Sequence, residues 1–250
     1  MNLSKQYLDK IVSHLDSLHN NNHESVLKAA RLLADEIKQD KLIHVAASGG
    51  HSNLATQEIF FRAGGLMHIN PIMDEGTLLT NGALRSMAIE RLPDYGKIVL
   101  DNNPMNNGDV MVLINAYGIN AAILDLALGA KDKGVTVIAV TSIAHAEATP
   151  KDHPARHPSK KNLCEVADIV LDCNVQVGDA VMEVEGITQK IAAMSTFANS
   201  FILNSLVIET VNILSNEDFE PPIWKSGNAT GGDDWNQQFI TRFKDRIRLL

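Results

Sequence analysis

The segment Ser48-Gly49-Gly50-His51-Ser52 places two hydroxyls, two adjacent glycines and an imidazole within five residues. Glycines let a backbone approach a ligand closely and turn N–H groups toward it, and the hydroxyls add donors. Where such a turn links a strand to a helix, the positive end of the helix dipole favours an anion, and phosphate is the natural guest. A tight turn with a serine cap is the alternative. The turn has no Gly-Lys-Ser/Thr ending and lacks three glycines at fixed steps, so it matches neither nucleotide fingerprint. The phosphate is therefore expected on a small molecule. His51, inside the turn, faces any ligand bound there and can carry a proton or donate to the phosphate.

Asn115-Ala116-Tyr117-Gly118-Ile119-Asn120 offers amides and a phenol around one glycine. Such groups hydrogen-bond sugar hydroxyls without strong charge, although a turn with asparagine caps explains the loop equally well. Glu58 lies two helical turns beyond His51 on the same face, and Arg62 follows one turn later, placed to pair with it. Ser195 and Thr196 stand at the start of an apolar helix, where they can cap it or hold phosphate. The basic run Arg156-His157-Pro158-Ser159-Lys160-Lys161 reads as a solvated loop that can supply charge to a phosphate. Pro154 and Pro158 prevent a regular helix from presenting His153 and His157 on one face, so no zinc site is expected there.

The elements that must position these groups alternate. The first forty residues read as two helices broken at Asn20-Asn21-Asn22, the first carrying Leu8, Ile11, Val12, Leu15 and Leu18, the second Val26, Ala30, Leu33 and Ile37. A helix with a single apolar stripe needs a cover, and a partner subunit is one candidate. Residues 42–46, 66–72, 110–114, 135–140 and 166–173 read as strands. Helices are expected over 53–62, 77–91, 121–133 and 195–214, with 94–109 unassigned and 144–163 an exposed loop. Trp235, Phe239, Phe243 and Ile247 recur at four-residue steps in a terminal helix. Short βαβ joints imply a parallel sheet with right-handed crossovers, hence a three-layer α/β domain over 1–215 and a tail over 216–250. In such sheets ligands bind beyond the C-terminal strand ends, where the two polar loops open.

The chain has 250 residues, 22 basic and 30 acidic, for a net charge of −8. That balance argues against nucleic-acid or anionic-membrane binding, which draws on surplus Lys and Arg. No apolar run approaches the ~18 residues of a membrane span. Two cysteines, Cys164 and Cys173, are too few for a disulfide framework. Together these place the protein in the cytoplasm.

With those loops in hand, the chain resembles the SIS (sugar isomerase) domain family over roughly residues 23–215. The family's first loop runs Gly-x-Gly-x-Ser/Thr; here Ser48 replaces the first glycine. Its second loop is rich in hydroxyls; here Asn115, Tyr117 and Asn120 stand in their places and Gly118 is kept. Met194-Ser195-Thr196 occupies the third, hydroxyl-rich element. The stretches Phe61-Arg62-Ala63-Gly64-Gly65-Leu66 and Thr230-Gly231-Gly232-Asp233 are similar to a bacterial branch related to phosphoheptose isomerase. The resemblance implies a five-stranded flavodoxin-like sheet, a homodimer or homotetramer, and a phosphorylated-sugar ligand. It further implies binding by Ser48, Gly49, Gly50, Ser52, Asn115, Tyr117, Gly118, Asn120, Ser195 and Thr196.

Aldose–ketose isomerisation needs a base and an acid and no compulsory metal or organic cofactor. His51 and Glu58 are candidates. In several isomerases of this fold a glutamate before the late helix is the base; of Glu183 and Glu185, which alternate around Val184, Glu183 is favoured. In some members a C-terminal lysine enters the sugar site, which makes Lys225 a candidate. A non-catalytic phosphosugar sensor and a phosphosugar lyase or etherase are the competing readings.

Overall fold

The structure, a computed structural model, describes residues 2–250. Its centre is a parallel sheet of β1 (Ile43–Ala47), β2 (Ile69–Ile72), β3 (Val110–Ile114), β4 (Thr136–Thr141) and β5 (Ile169–Asp172), in the order β2-β1-β3-β4-β5. A small antiparallel pair follows, β6 (Ala180–Met182) with β7 (Ile191–Ala193). The helices are α1 (Leu3–Lys38), α2 (Ser52–Ile59), α3 (Ala83–Glu90), α4 (Tyr95–Asp101), α5 (Ala121–Asp132), α6 (Ile143–Ala148), α7 (Leu163–Val166), α8 (Ser195–Asn216) and α9 (Gly232–Phe243).

Strand alternation sorts the core into two faces. Val110, Val112 and Ile114 of β3 pack with Val45 of β1 under α1, α2 and α8. Met111 and Leu113 pack on the other side, under α4 and α5. Both faces are therefore covered, which is why both strands are buried along their whole length and why β3 is wholly apolar and β1 apolar except for His44. The result is the expected three-layer α/β sandwich with a five-stranded parallel, flavodoxin-like sheet.

Several element boundaries differ from the sequence reading, each for a local reason. The N-terminal segment is one helix of 36 residues, not two. Asn22 is buried within it: its amide donates to the carbonyls of Leu18 and Asp172, and its carbonyl accepts from the Asp172 N–H at 2.7 Å. The asparagine cluster thus contains a bolt between α1 and β5, not a break. The expected helix over 77–91 divides at Gly82 (φ 110°) into a 3-10 turn, Leu79–Asn81, and α3. The segment 94–109 contains α4, and 144–163 begins with α6. Leu66, expected within β2, instead makes an antiparallel bridge with Ile223 of the tail.

The basic run is not simply solvated. Arg156 is buried and its guanidinium donates to the carbonyls of Pro150, Ala146 and Thr149 at 2.6–2.8 Å. A proline-rich loop leaves carbonyls without helical partners, and a planar five-donor fork satisfies several at once. His157 meets the buried Asp125 carboxylate at 3.1 Å. α8 also departs from expectation, because its 22 residues are long and apolar enough to cross a membrane by length and composition. Here Ala198, Ile202, Leu203 and Leu206 are buried in the core, and the helix packs along α1.

Candidate active site

Sheet order reverses between β1 and β3, so the loops leaving these strands part and open a crevice. A cleft of about 400 Å³ lies there. The Ser48–Ser52 turn forms one wall, and the β3 loop with Asn115, Tyr117 and Asn120 forms the floor. α3 contributes Ser86, Met87 and Glu90 opposite the turn, and the start of the β6–β7 hairpin and of α8 closes the far side with Asp179, Ser195 and Thr196.

The turn is built to leave donors unspent. Gly49 has φ 100°, in the left-handed region, and a Cβ there would overlap the Glu90 carboxylate. The Asn53 side chain fixes the turn from behind, donating to the Gly49 carbonyl at 3.1 Å and to Thr77. Among the described residues, neither the Gly50 nor the His51 N–H has an acceptor in the protein. The Ser48 hydroxyl is buried and likewise unpartnered, and no side chain caps α2. Donors left open at a helix start are the groups by which helix N-termini accept anions.

The floor is more constrained than its sequence indicates. The Asn115 amide donates to the Ser48 carbonyl at 2.6 Å, while its carbonyl accepts from the N–H groups of Tyr117 and Gly118. The Asn120 amide donates to the Ala155 carbonyl. Both side chains line the cleft, yet their amide N–H groups already serve the fold. Gly118 lies behind the wall, at φ 62°, where a side chain would strike Thr141 and Leu163. Tyr117 stacks on His145 with ring centres 3.9 Å apart and planes at 14°. Ser195 is held by Asp179: its hydroxyl donates to one carboxylate oxygen at 2.6 Å, and the N–H groups of Met194 and Ser195 donate to the other. The cap of α8 is therefore an aspartate from outside the helix.

His51, Ser48, Gly49, Gly50, Ser52, Asn115, Tyr117, Asn120, Ser195 and Thr196 thus share one cleft. Glu58 and Glu183 do not reach it. Glu58 points along α2 to Arg62, its expected partner, at 3.3 Å. Glu183 follows β6, is largely exposed and pairs with Lys190. Lys225 stays over the Trp235 ring, 4.1 Å from its centre, in the tail.

The carboxylates at the cleft are instead Glu90 and Asp179, which sequence reasoning missed. Glu90 closes an exposed amphipathic turn before Pro93, and Asp179 lies 16 residues from the serine that it holds, so neither carries a local signature. Burial raises the Glu90 carboxyl above the usual range, partly offset by the Arg91 charge. Burial also raises the Tyr117 phenol, with Asp179 and Glu90 adding to it. No lysine or arginine lines the cleft among the described residues. An anion there depends on amides, hydroxyls, His51 and a helix dipole. Nor do three His, Cys, Asp or Glu side chains converge on a metal-binding point among the described residues.

The SIS domain profile matches residues 6–142, more than half of the chain. This protein belongs to the SIS domain family. Over nearly the full SIS chain it is similar to the UPF0309 protein GK1441 of Geobacillus kaustophilus, 34% identical over 245 residues, covering 98% of this chain and 96% of that one. The UPF0309 protein BH0227 of Halalkalibacterium halodurans is 36% identical over 244 residues, covering 98% and 96%. Among solved structures, a phosphoheptose isomerase from Francisella tularensis aligns with TM-score 0.53 at 16% identity, over 85% of this chain and 99% of its own. The phosphoheptose isomerase GmhA of Neisseria gonorrhoeae gives 0.54 at 15%, over 85% and 97%. At these identities the likeness is one of fold.

Proposed function

We propose that the cleft binds a phosphorylated sugar and interconverts its aldose and ketose forms. The observation that carries this reading is a glycine turn with unspent N–H groups at the sheet's switch point, facing a half-buried carboxylate with a raised pKa. The phosphate sits on the Gly50 and His51 amides and the Ser48 and Ser52 hydroxyls, and the sugar extends toward α3. Glu90 takes the proton from the carbon beside the carbonyl and returns it to the neighbouring carbon. His51 moves the compensating proton between the two oxygens, so atoms and charge balance through an enediol. Glu58 and Glu183, outside the cleft, have no part in this scheme. SIS membership and the shared fold of two phosphoheptose isomerases support the reading.

The free Cys164 and Cys173 fit a reducing compartment, and we place the activity in the cytoplasm. Leu8 and Val12 of α1 are each 51% exposed on one stripe, which supports a homodimer or homotetramer. Thermal shift against paired sugars and sugar phosphates tests the ligand class; equal shifts within each pair refute it. Proton NMR in heavy water tests the reaction. Exchange at the carbon beside the carbonyl is expected, and binding without exchange would make the protein a sensor.

A further inference from the structure

A second cavity of about 320 Å³ abuts the cleft. The two share Glu90, Tyr117, Asn120 and Gly178 as a common wall. Beyond that wall the lining is mostly apolar: Ile119, Ala148, Pro150, Ala155 and Val177. Several of its polar groups are engaged. The Thr149 hydroxyl donates to the His145 carbonyl at 2.8 Å, His153 Nδ1 accepts from the Ala155 N–H, and the Ala155 carbonyl accepts from Asn120. The His145 ring is buried against Tyr117, and that burial holds its pKa below the ordinary imidazole value. The Arg91 guanidinium and the Tyr117 hydroxyl stand at its edge without protein partners among the described residues, while the aliphatic wall between them offers an apolar guest a surface that holds water weakly.

We infer that this cavity is a subsite for an apolar substituent on the substrate, so that the preferred ligand is a sugar phosphate bearing an acyl or alkyl group. The inference rests on the phosphosugar reading of the adjoining cleft. The phosphate occupies the Ser48–Ser52 turn, the sugar lies beside Glu90, and the substituent crosses the shared wall between Tyr117 and Gly178. The two cavities then measure the two halves of one molecule.

The test is calorimetry with two series of glucose 6-phosphates, O-acylated at the 3-oxygen (acetyl, butanoyl, hexanoyl) or alkylated at the 4-oxygen (methyl, butyl, hexyl), positions that leave the C1 carbonyl and C2 hydroxyl free. Each buried methylene contributes about fourfold in affinity, so butyl over methyl should gain about 60-fold, or butanoyl over acetyl about 15-fold, in at least one series. Ala148→Trp fills the cavity from the exposed end of α6; it should erase that gain while the shortest member of each series binds as before, which also shows that the variant is folded. Flat affinity along both series, or a gain that survives Ala148→Trp, overturns the subsite and leaves the phosphosugar reading standing. Equal binding of the same compounds without phosphate overturns the phosphosugar reading instead. No binding by any compound overturns both.

Discussion

Replacing Glu90 by glutamine separates two effects that a single carboxylate exerts on this cleft. Glu90 fills the space left by the absent side chain of Gly49, so its charge sits beside the turn that is to receive a phosphate. Two unit charges about 5 Å apart repel by roughly 3 kcal/mol at an effective dielectric constant near 20 and by about 0.8 kcal/mol in bulk water. Glu90→Gln removes that repulsion and keeps the shape. Binding of a hexose 6-phosphate should tighten by about 1–3 kcal/mol, roughly 5- to 150-fold. The raised pKa adds a pH signature. Protonation neutralises Glu90 in the wild type as pH falls toward its elevated pKa, so the advantage of Glu90→Gln should shrink with acidification. If Glu90 is also the base, solvent exchange of the substrate proton disappears in the same variant. Calorimetry at several pH values reads the first effect and proton NMR in heavy water the second. Weaker binding with exchange intact would refute both, and would make Glu90 an acceptor for a sugar hydroxyl.

Ser52→Ala should weaken phosphosugar binding by ~1 kcal/mol, about fivefold, as one lost hydrogen bond, read by calorimetry. Asn22→Leu leaves the part-buried N–H of Asp172 without its acceptor and should lower unfolding free energy by ~1–3 kcal/mol in urea melts. His68 is buried beside Asp40, and burial, aided by the Arg242 charge, brings its pKa down to about 4. The unfolded chain therefore binds the proton first, so stability should fall as pH drops from about 6.5 toward 4, by up to ~3 kcal/mol. His68→Leu should flatten that part of the pH–stability curve.

The fold was legible because its signals are local and repeated. Five buried strands announce themselves as short β-branched runs, and the glycine turn after β1 lies where doubly wound sheets bind ligands. What stayed hidden depends on contacts remote in sequence. Asn22 looks like a helix breaker until Asp172, 150 residues away, is seen to use both ends of its amide. Asn115 and Asn120 look free to read a sugar until Ser48 and Ala155 claim their N–H groups. Arg156 looks like surface charge until the loop carbonyls around it need a donor. Conversely Glu58 has the right helical spacing from His51 and the wrong direction, because α2 turns that residue toward Arg62. Spacing along one helix finds a face; it does not say what the face meets.

Asp179 both walls the cleft and stoppers the first turn of α8 with three hydrogen bonds. Swinging the hairpin outward would therefore uncork a buried helix end, at a cost of about 0.5–2 kcal/mol. That side of the entrance behaves as a fixed jamb. On the opposite sill Leu79 and Met87 line the cleft about 40% exposed, and entry of the proposed substrate is expected there. Cross-linking that sill should throttle exchange, whereas pinning the hairpin should leave it untouched.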